Sequence, residues 1–244
     1  MDTRKDTIWQ SSAVAKNFLK GIRGAIPFAA EQLDIMLRVL DLRDEPIRSF
    51  IDLGCGAGAL GAVILERYPD ARGVFIDFSP AMLDAAKRKL GDNPNVTLCN
   101  LDYATPDWLE AVEDDTPFDA VVSGYSIHHH PDERKRRVYT EIFDLLAPGG
   151  VFMNIEHVAP TSEVSERLFV EHLIDNLLEI EQRFNGPRSR DQLAEEFRNR
   201  EDGEANILAP LDLQLDWLKD IGYTQVDCHF KLYELAIFGG AKPR

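Results

Sequence analysis

Seven residues, Asp52-Leu53-Gly54-Cys55-Gly56-Ala57-Gly58, leave a short apolar run and enter a helical pattern. Glycines here permit a tight turn and present bare backbone to a ligand, with no Cβ in the way. Many nucleotide-binding proteins carry such a loop, so its context decides its meaning. Asp77 lies 23 residues after Gly54, at the end of the next strand-like run. A carboxylate in that place accepts hydrogen bonds from both hydroxyls of a ribose. Asp102 follows the third run, suited to the amino group of an adenine, although Asp102-Tyr103 also reads as a simple loop.

A second group of residues could move protons. His128, His129 and His130 stand just past a fourth strand-like run, and Glu156-His157 ends a fifth. Histidine or a carboxylate of near-neutral pKa suits removal of a proton from an oxygen or nitrogen acceptor. His128, His129, Glu156 and His157 are therefore the catalytic candidates, with a structural or substrate-orienting role as the competing reading of each. Adjacent side chains project in different directions, so the three histidines are not read as metal ligands, and no metal site is expected. Tyr125 either packs on a ligand, hydrogen-bonds an acceptor, or is a plain core tyrosine.

These residues must be positioned by alternating strands and helices, the pattern of a parallel sheet covered on both faces. Ser49–Leu53, Gly73–Asp77, Val96–Cys99, Phe118–Ser123 and Val151–His157 read as strands. Helices are expected over Leu60–Tyr68, from Ser79-Pro80 onward, and over Glu133–Leu146 up to Pro148-Gly149-Gly150. Gln225–Phe230 and Leu232–Phe238 are joined too closely for a parallel crossover and must pair antiparallel. The expected fold is α/β, a doubly wound seven-stranded sheet, mostly parallel with a C-terminal antiparallel hairpin, plus a helical lid.

The chain is read as one domain in four parts. Residues 1–46 are N-terminal helices capping the site, 47–158 the ligand-binding core, 159–222 a helical lid insertion, and 223–244 the closing hairpin. Within the lid, Val164, Leu168, Leu173, Leu177, Leu178 and Phe184 read as the apolar face of a helix over Glu163–Phe184. Ser189-x-x-Gln192 is a capping box, and Leu211–Ile221 a further helix ended by Gly222. Apolar positions beyond the needs of one sheet face lead to the expectation of a homodimer.

A formal charge of −15 excludes a surface built for nucleic-acid phosphates. The local basic run Glu133-Arg134-Lys135-Arg136-Arg137 reads as the solvated face of a helix start. Three widely spaced cysteines, Cys55, Cys99 and Cys228, form neither a disulfide framework nor a metal pattern and read as reduced thiols. With no apolar signal core at the N-terminus and no run of about 20 apolar residues, the expectation is a cytoplasmic protein without membrane contact.

Asp52–Gly58 resembles motif I of the class I S-adenosylmethionine (SAM)-dependent methyltransferases. Ile76-Asp77-Phe78-Ser79-Pro80-Ala81-Met82-Leu83 resembles their second motif, and Leu145-Leu146-Ala147-Pro148-Gly149-Gly150 their approach to the fifth strand. The likeness covers about Ile47 to Val158 and the closing hairpin. It implies a Rossmann-like fold and SAM as cofactor, leaving S-adenosylhomocysteine (SAH). The cofactor residues it implies are Asp52, Gly54, Cys55, Gly56, Gly58, Asp77, Phe78, Met82, Asp102, Tyr103, Ser123 and Gly124. Gly54, Gly56 and Gly58 would back the methionine portion, Asp77 the ribose and Asp102 the adenine, with Ser123-Gly124 at the methionine end. Phe28, Tyr125, His128 and Tyr233 are the candidates for contact with the acceptor.

The activity implied is methyl transfer to a small-molecule acceptor. Pro27-Phe28, Ser123–His129 and the helix Leu211–Gly222 also resemble the branch that holds the carboxy-SAM synthases, which convert SAM with prephenate. Against that activity, the lid arginine expected near Arg198–Arg200 aligns with Asn199, and an expected asparagine is Gly124. A SAM-binding protein without transfer activity is the third reading, since no residue is compelled by its surroundings in sequence to be the catalyst.

Overall fold

The computed structural model describes residues 4–20 and 22–244; Gly21 and the first three residues of the expected N-terminal part lie outside them. Strand β1 (Ser49–Leu53) is buried at every position, as a strand covered by helices on both faces must be. Its side chains alternate, with Ile51 and Leu53 entering one core and Phe50 the other. β2 (Arg72–Asp77) and β4 (Phe118–Gly124) flank it in parallel. β3 (Val96–Asn100) lies outside β2, and β5 (Leu146–His157) outside β4. The hairpin of β6 (Thr224–Leu232) and β7 (Leu235–Ala241) joins β5 antiparallel through β7. The order β3-β2-β1-β4-β5-β7-β6 is the doubly wound seven-stranded sheet that the sequence predicts.

Helices α1 (Ser12–Lys20), α2 (Ile22–Ala25) and α3 (Ala29–Asp41) precede the sheet. α4 (Ala59–Arg67), α5 (Pro80–Leu90) and α6 (Asp132–Leu145) follow β1, β2 and β4. Between β5 and the hairpin come α7 (Glu163–Arg183), α8 (Arg190–Arg198) and α9 (Leu211–Ile221). Met36 and Leu40 of α3, Ile64 of α4 and Leu83 of α5 bury against one sheet face. Tyr139 and Ile142 of α6, with Trp217 and Leu218 of α9, bury against the other. The capping box forms: Ser189 Oγ accepts from Gln192 N, and Gln192 Oε1 accepts from Ser189 N. Among the described residues no helix is long and apolar enough to cross a membrane.

Three local expectations are corrected. β5 begins at Leu146 rather than Val151, because Leu146 already pairs with Phe118 across an irregular register; Pro148-Gly149-Gly150 lies within the strand. In α7 the buried stripe is Phe169, Leu173 and Ile174, packed on Ala194, Phe197 and Leu235, while Val164, Leu168 and Phe184 are exposed. The basic run is solvated only in part. Lys135 is fully buried, its ammonium held by Asp132 and the Ile207 carbonyl. Arg134 is pinned by Glu141 and the Tyr103 carbonyl.

The sheet's far end is stapled by Arg43, which donates to the carbonyls of Asp119 and Gly149 and to Asp119 Oδ1. Asp119 Oδ2 in turn accepts from the amides of Arg48 and Ser49. Arg43→Ala strips this half-buried site of its cation and leaves two carbonyls short of donors. It should lower unfolding free energy by about 2–3 kcal/mol, seen as a lower urea midpoint at unchanged slope.

Candidate functional site

At the carboxyl ends of β1, β2 and β4 the chain turns outward around a pocket, the place where ligands of open α/β sheets bind. Gly54 and Gly56 line it in the left-handed backbone region, at φ +67° and +52°. A Cβ on Gly54 would strike Ser126 Oγ, so only glycine fits that turn. Asp77, at the end of β2, fastens the loop: its Oδ2 accepts from Gly56 N at 2.8 Å and its Oδ1 from Ser79 N at 2.8 Å. A carboxylate offers about four acceptor positions, so two remain for a ligand. Burial pushes the Asp77 carboxyl up to about 6, against the pull of those two amides.

The sequence-derived cofactor residues divide into wall and support. Asp52, Gly54, Cys55, Gly56, Asp77, Phe78, Met82 and Gly124 line the pocket. Gly58 instead caps α4 and packs toward Leu90. Ser123 Oγ donates to the Leu53 carbonyl within the sheet, and Tyr103 hydroxyl meets Ser126 Oγ at 2.6 Å beneath Gly54. Asp102 stands outside the pocket wall, bound by Arg4.

On the opposite wall, the segments that follow β4 and end β5 bring the four proton-transfer candidates together. His128 Nδ1 lies 2.6 Å from Glu156 Oε1, and His128 N donates to Glu156 Oε2 at 3.1 Å. His157 N and Asn154 Nδ2 also donate to Glu156. Burial raises the Glu156 carboxyl, while its amide donors oppose that; burial drives His128 well below its ordinary value, to the neutral form. His129, also neutral through burial, directs Nδ1 to the Ala205 carbonyl at 3.1 Å. A carbonyl only accepts, so Nδ1 carries the proton and Nε2 is left as a base. His157 lines the pocket with Nε2 on Glu234 Oε2 at 2.6 Å, a bond apart from the Glu156 cluster. His130 turns away toward Asp6 and Tyr103.

Of the acceptor candidates, Tyr125 and His128 line the pocket, whereas Phe28 and Tyr233 do not. Tyr125 takes a left-handed backbone, φ 52°, that aims its hydroxyl at Gln32 Oε1, 2.7 Å away. Phe28 is exposed, against Phe230 and His172. Sequence reasoning missed Trp9 and Phe18 from the N-terminal segment, and Phe197, Arg200 and Asn206 from the lid. The Asn206 side chain stands beside the His128 imidazole and favours its charged form against burial. Neither segment has a motif to mark these residues; Phe197-x-x-Arg200 is visible only as an aromatic and a cation one helical turn apart.

Residues 50–150 match the family model described as "Methyltransferase domain". Over that stretch the chain is similar to a methyltransferase domain. Over 130 residues it is 38% identical to trans-aconitate 2-methyltransferase of Streptomyces avermitilis, covering 52% of this chain and 43% of that one. Over 229 residues it is 23% identical to carboxy-S-adenosyl-L-methionine synthase of Nautilia profundicola, covering 92% and 90%. Human N-acetylserotonin methyltransferase, solved in complex with SAM, shares the fold at a TM-score of 0.63 and 14% identity, over 100% of this chain and 60% of that one. The chain spans only 35%, 37% and 43% of the length of three curated methyltransferases that it matches.

The chain's departures from the carboxy-SAM synthase pattern now have places in the fold. Asn199 is exposed and bound to Glu195, but its neighbour Arg200 reaches the pocket, stacked on Phe197 and paired with Asp202. A side chain at Gly124 would press on the methyl groups of Leu60, which would have to give by a few tenths of an ångström.

The buried Asp77 makes a stability prediction. Its folded-state value of about 6 stands above the ordinary 3.8, so the folded protein holds the proton more tightly. The stabilisation is complete below about pH 4 and is lost as pH rises through 6, a change of about 3 kcal/mol. Between pH 4 and 7 the unfolding free energy of Asp77→Asn should gain on wild type by that amount. Parallel pH profiles from urea denaturation would contradict the burial argument.

Proposed function

We propose that the protein is a SAM-dependent methyltransferase acting on a small-molecule acceptor. The observation that carries this reading is that the glycine cradle, Asp77 and His128, which is held from behind by Glu156, line one pocket. The residues fit the cofactor. Gly54 and Gly56 offer bare backbone, Asp77 keeps acceptor positions for a ribose, and Phe78 and Met82 supply apolar wall. Asp52, Asp77 and Asp202 outnumber Arg200 along the wall, which suits a cationic ligand. When bound, SAM supplies an electrophilic methyl group on its sulfonium.

The protein's own contribution is positioning and proton removal. Holding the acceptor atom against the methyl carries much of the acceleration of an in-line displacement. Neutral His128, with Nδ1 on Glu156, would take the acceptor's proton on Nε2, beside the Asn206 side chain. His129 Nε2 is a second base within the same wall. Residues 47–158 would hold the cofactor, while residues 1–46 and 159–222 select the acceptor. The acidic surface supports a metabolite rather than nucleic acid. Free Cys55, Cys99 and Cys228 fit a reducing cytoplasm, and exposed Val164 and Leu168 on α7 support a homodimer.

Arg200 favours a second reading, a carboxy-SAM synthase-like activity, because it places a guanidinium where a carboxylate could dock. Mass spectrometry of ligand extracted from the purified protein separates the two: a carboxylated SAM species supports the second. For the first, purified protein should convert SAM to SAH with an acceptor from a metabolite panel. Glu156→Gln should lower kcat by about 10²–10⁴-fold with little change in KM. Asp77→Ala should weaken SAH binding in calorimetry by about 1–3 kcal/mol. No turnover across the panel together with full SAH affinity would leave a binding protein instead of an enzyme.

A further inference from the structure

Asp102, the residue assigned to the adenine of the cofactor, and Phe78 of the pocket wall are both taken up by one side chain of the N-terminal segment. Arg4 Nη1 lies 2.6 Å from Asp102 Oδ2 and Nη2 lies 3.3 Å from Oδ1. The same guanidinium carbon stands 5.9 Å from the Phe78 ring centroid. Its other contacts run to buried Asp6, with Nε and Nη2 at 2.9 and 2.6 Å from the two carboxylate oxygens. A planar group presenting N–H donors to a carboxylate beside an aromatic ring offers what the amino edge of adenine would offer. The two cannot hold Asp102 at once.

We infer that Arg4 keeps the adenine place and that Arg4–Gln10 is a latch which cofactor entry opens. The inference rests on the reading of Asp102 as the adenine partner. The Arg4–Asp102 pair is partly exposed, with side-chain accessibilities of 38% and 43%, and such pairs are weakly held. A ligand that brings its own donor therefore displaces Arg4 at small cost. The segment that follows ties this event to the lid. Lys5 pairs with Glu204 at 2.9 Å, and Trp9 packs against His129 with ring centroids 5.6 Å apart. Glu204 adjoins Ala205, whose carbonyl holds the His129 proton. Opening the latch thus loosens the corner of the lid that borders the proposed base, and cofactor arrival is signalled to the acceptor side.

The test is hydrogen–deuterium exchange across residues 4–10 of the full-length protein, with and without SAH, joined to SAH calorimetry. Wild type should exchange faster in this segment when SAH is added. Arg4→Ala should show the fast exchange without ligand and bind SAH about two- to fivefold more tightly. Asp102→Asn should also release the segment in the absence of SAH. Binding that is unchanged or weaker in Arg4→Ala, or exchange that SAH slows, overturns the latch while leaving the cofactor reading intact. Failure of SAH to bind wild type and variant alike refutes the cofactor reading and this inference with it.

Discussion

The site depends on one buried carboxylate. Asp77 joins two loops, accepting an amide from the glycine turn after β1 and another from the turn into α5. The sheet supports it closely. Cys55 N donates to the Ile76 carbonyl, and the Asp77 carbonyl accepts from both Leu101 N and Asn100 Nδ2. Three strand ends are thereby locked around a group whose charge the surroundings disfavour. Holding it ionised costs the unliganded fold about 3 kcal/mol, which hydroxyl donors from a ligand would offset. The cradle is built at the expense of stability, as binding sites commonly are.

The opposite wall solves a different problem, how to give a buried imidazole a defined proton. A chain of side chains running in from α9 sets the direction. Gln214 Nε2 donates to the Ala209 carbonyl, which turns its Oε1 toward Tyr139. The Tyr139 hydroxyl, held protonated by burial, donates to that oxygen and accepts from Asn154 Nδ2. Asn154 therefore meets Glu156 Oε2 as a donor, alongside His128 N. Every group around Oε2 gives a hydrogen, so any proton shared by the pair sits between Oε1 and His128 Nδ1. Such a network is costly when half satisfied and directing when complete; of its members only Asn154 Oδ1 has no partner.

What the sequence made legible is what local chemistry dictates. A glycine loop followed by an acid at a strand end can be read from spacing, because turn geometry and strand alternation are short-range constraints. The antiparallel end of the sheet followed, since a hairpin too short for a crossover has to be antiparallel. The exposed side of α7 was misjudged for a physical reason: the helix packs on α8 and on Leu235, so its buried stripe is set by tertiary partners rather than by its own most apolar face. Lys135 misled in the same manner, being a charged residue whose burial is compensated by Asp132 and a carbonyl from a distant loop. Arg200 was displaced by one residue, and no spacing rule could correct that without the turn that follows α8.

The lid does more than close a volume. Ile207 N donates to the His128 carbonyl, Asn206 reaches the His128 ring, and Ala205 fixes the His129 tautomer. Lys135, buried in α6, holds the Ile207 carbonyl and so anchors this corner to the sheet-bound helix. Residues that shape the acceptor's space are thus the same residues that define where the basic nitrogens point. A lid altered for a different acceptor would disturb the histidines unless the stretch Ala205–Ile207 kept its backbone course. On the proposed function, acceptor selection and proton removal are in this arrangement one property.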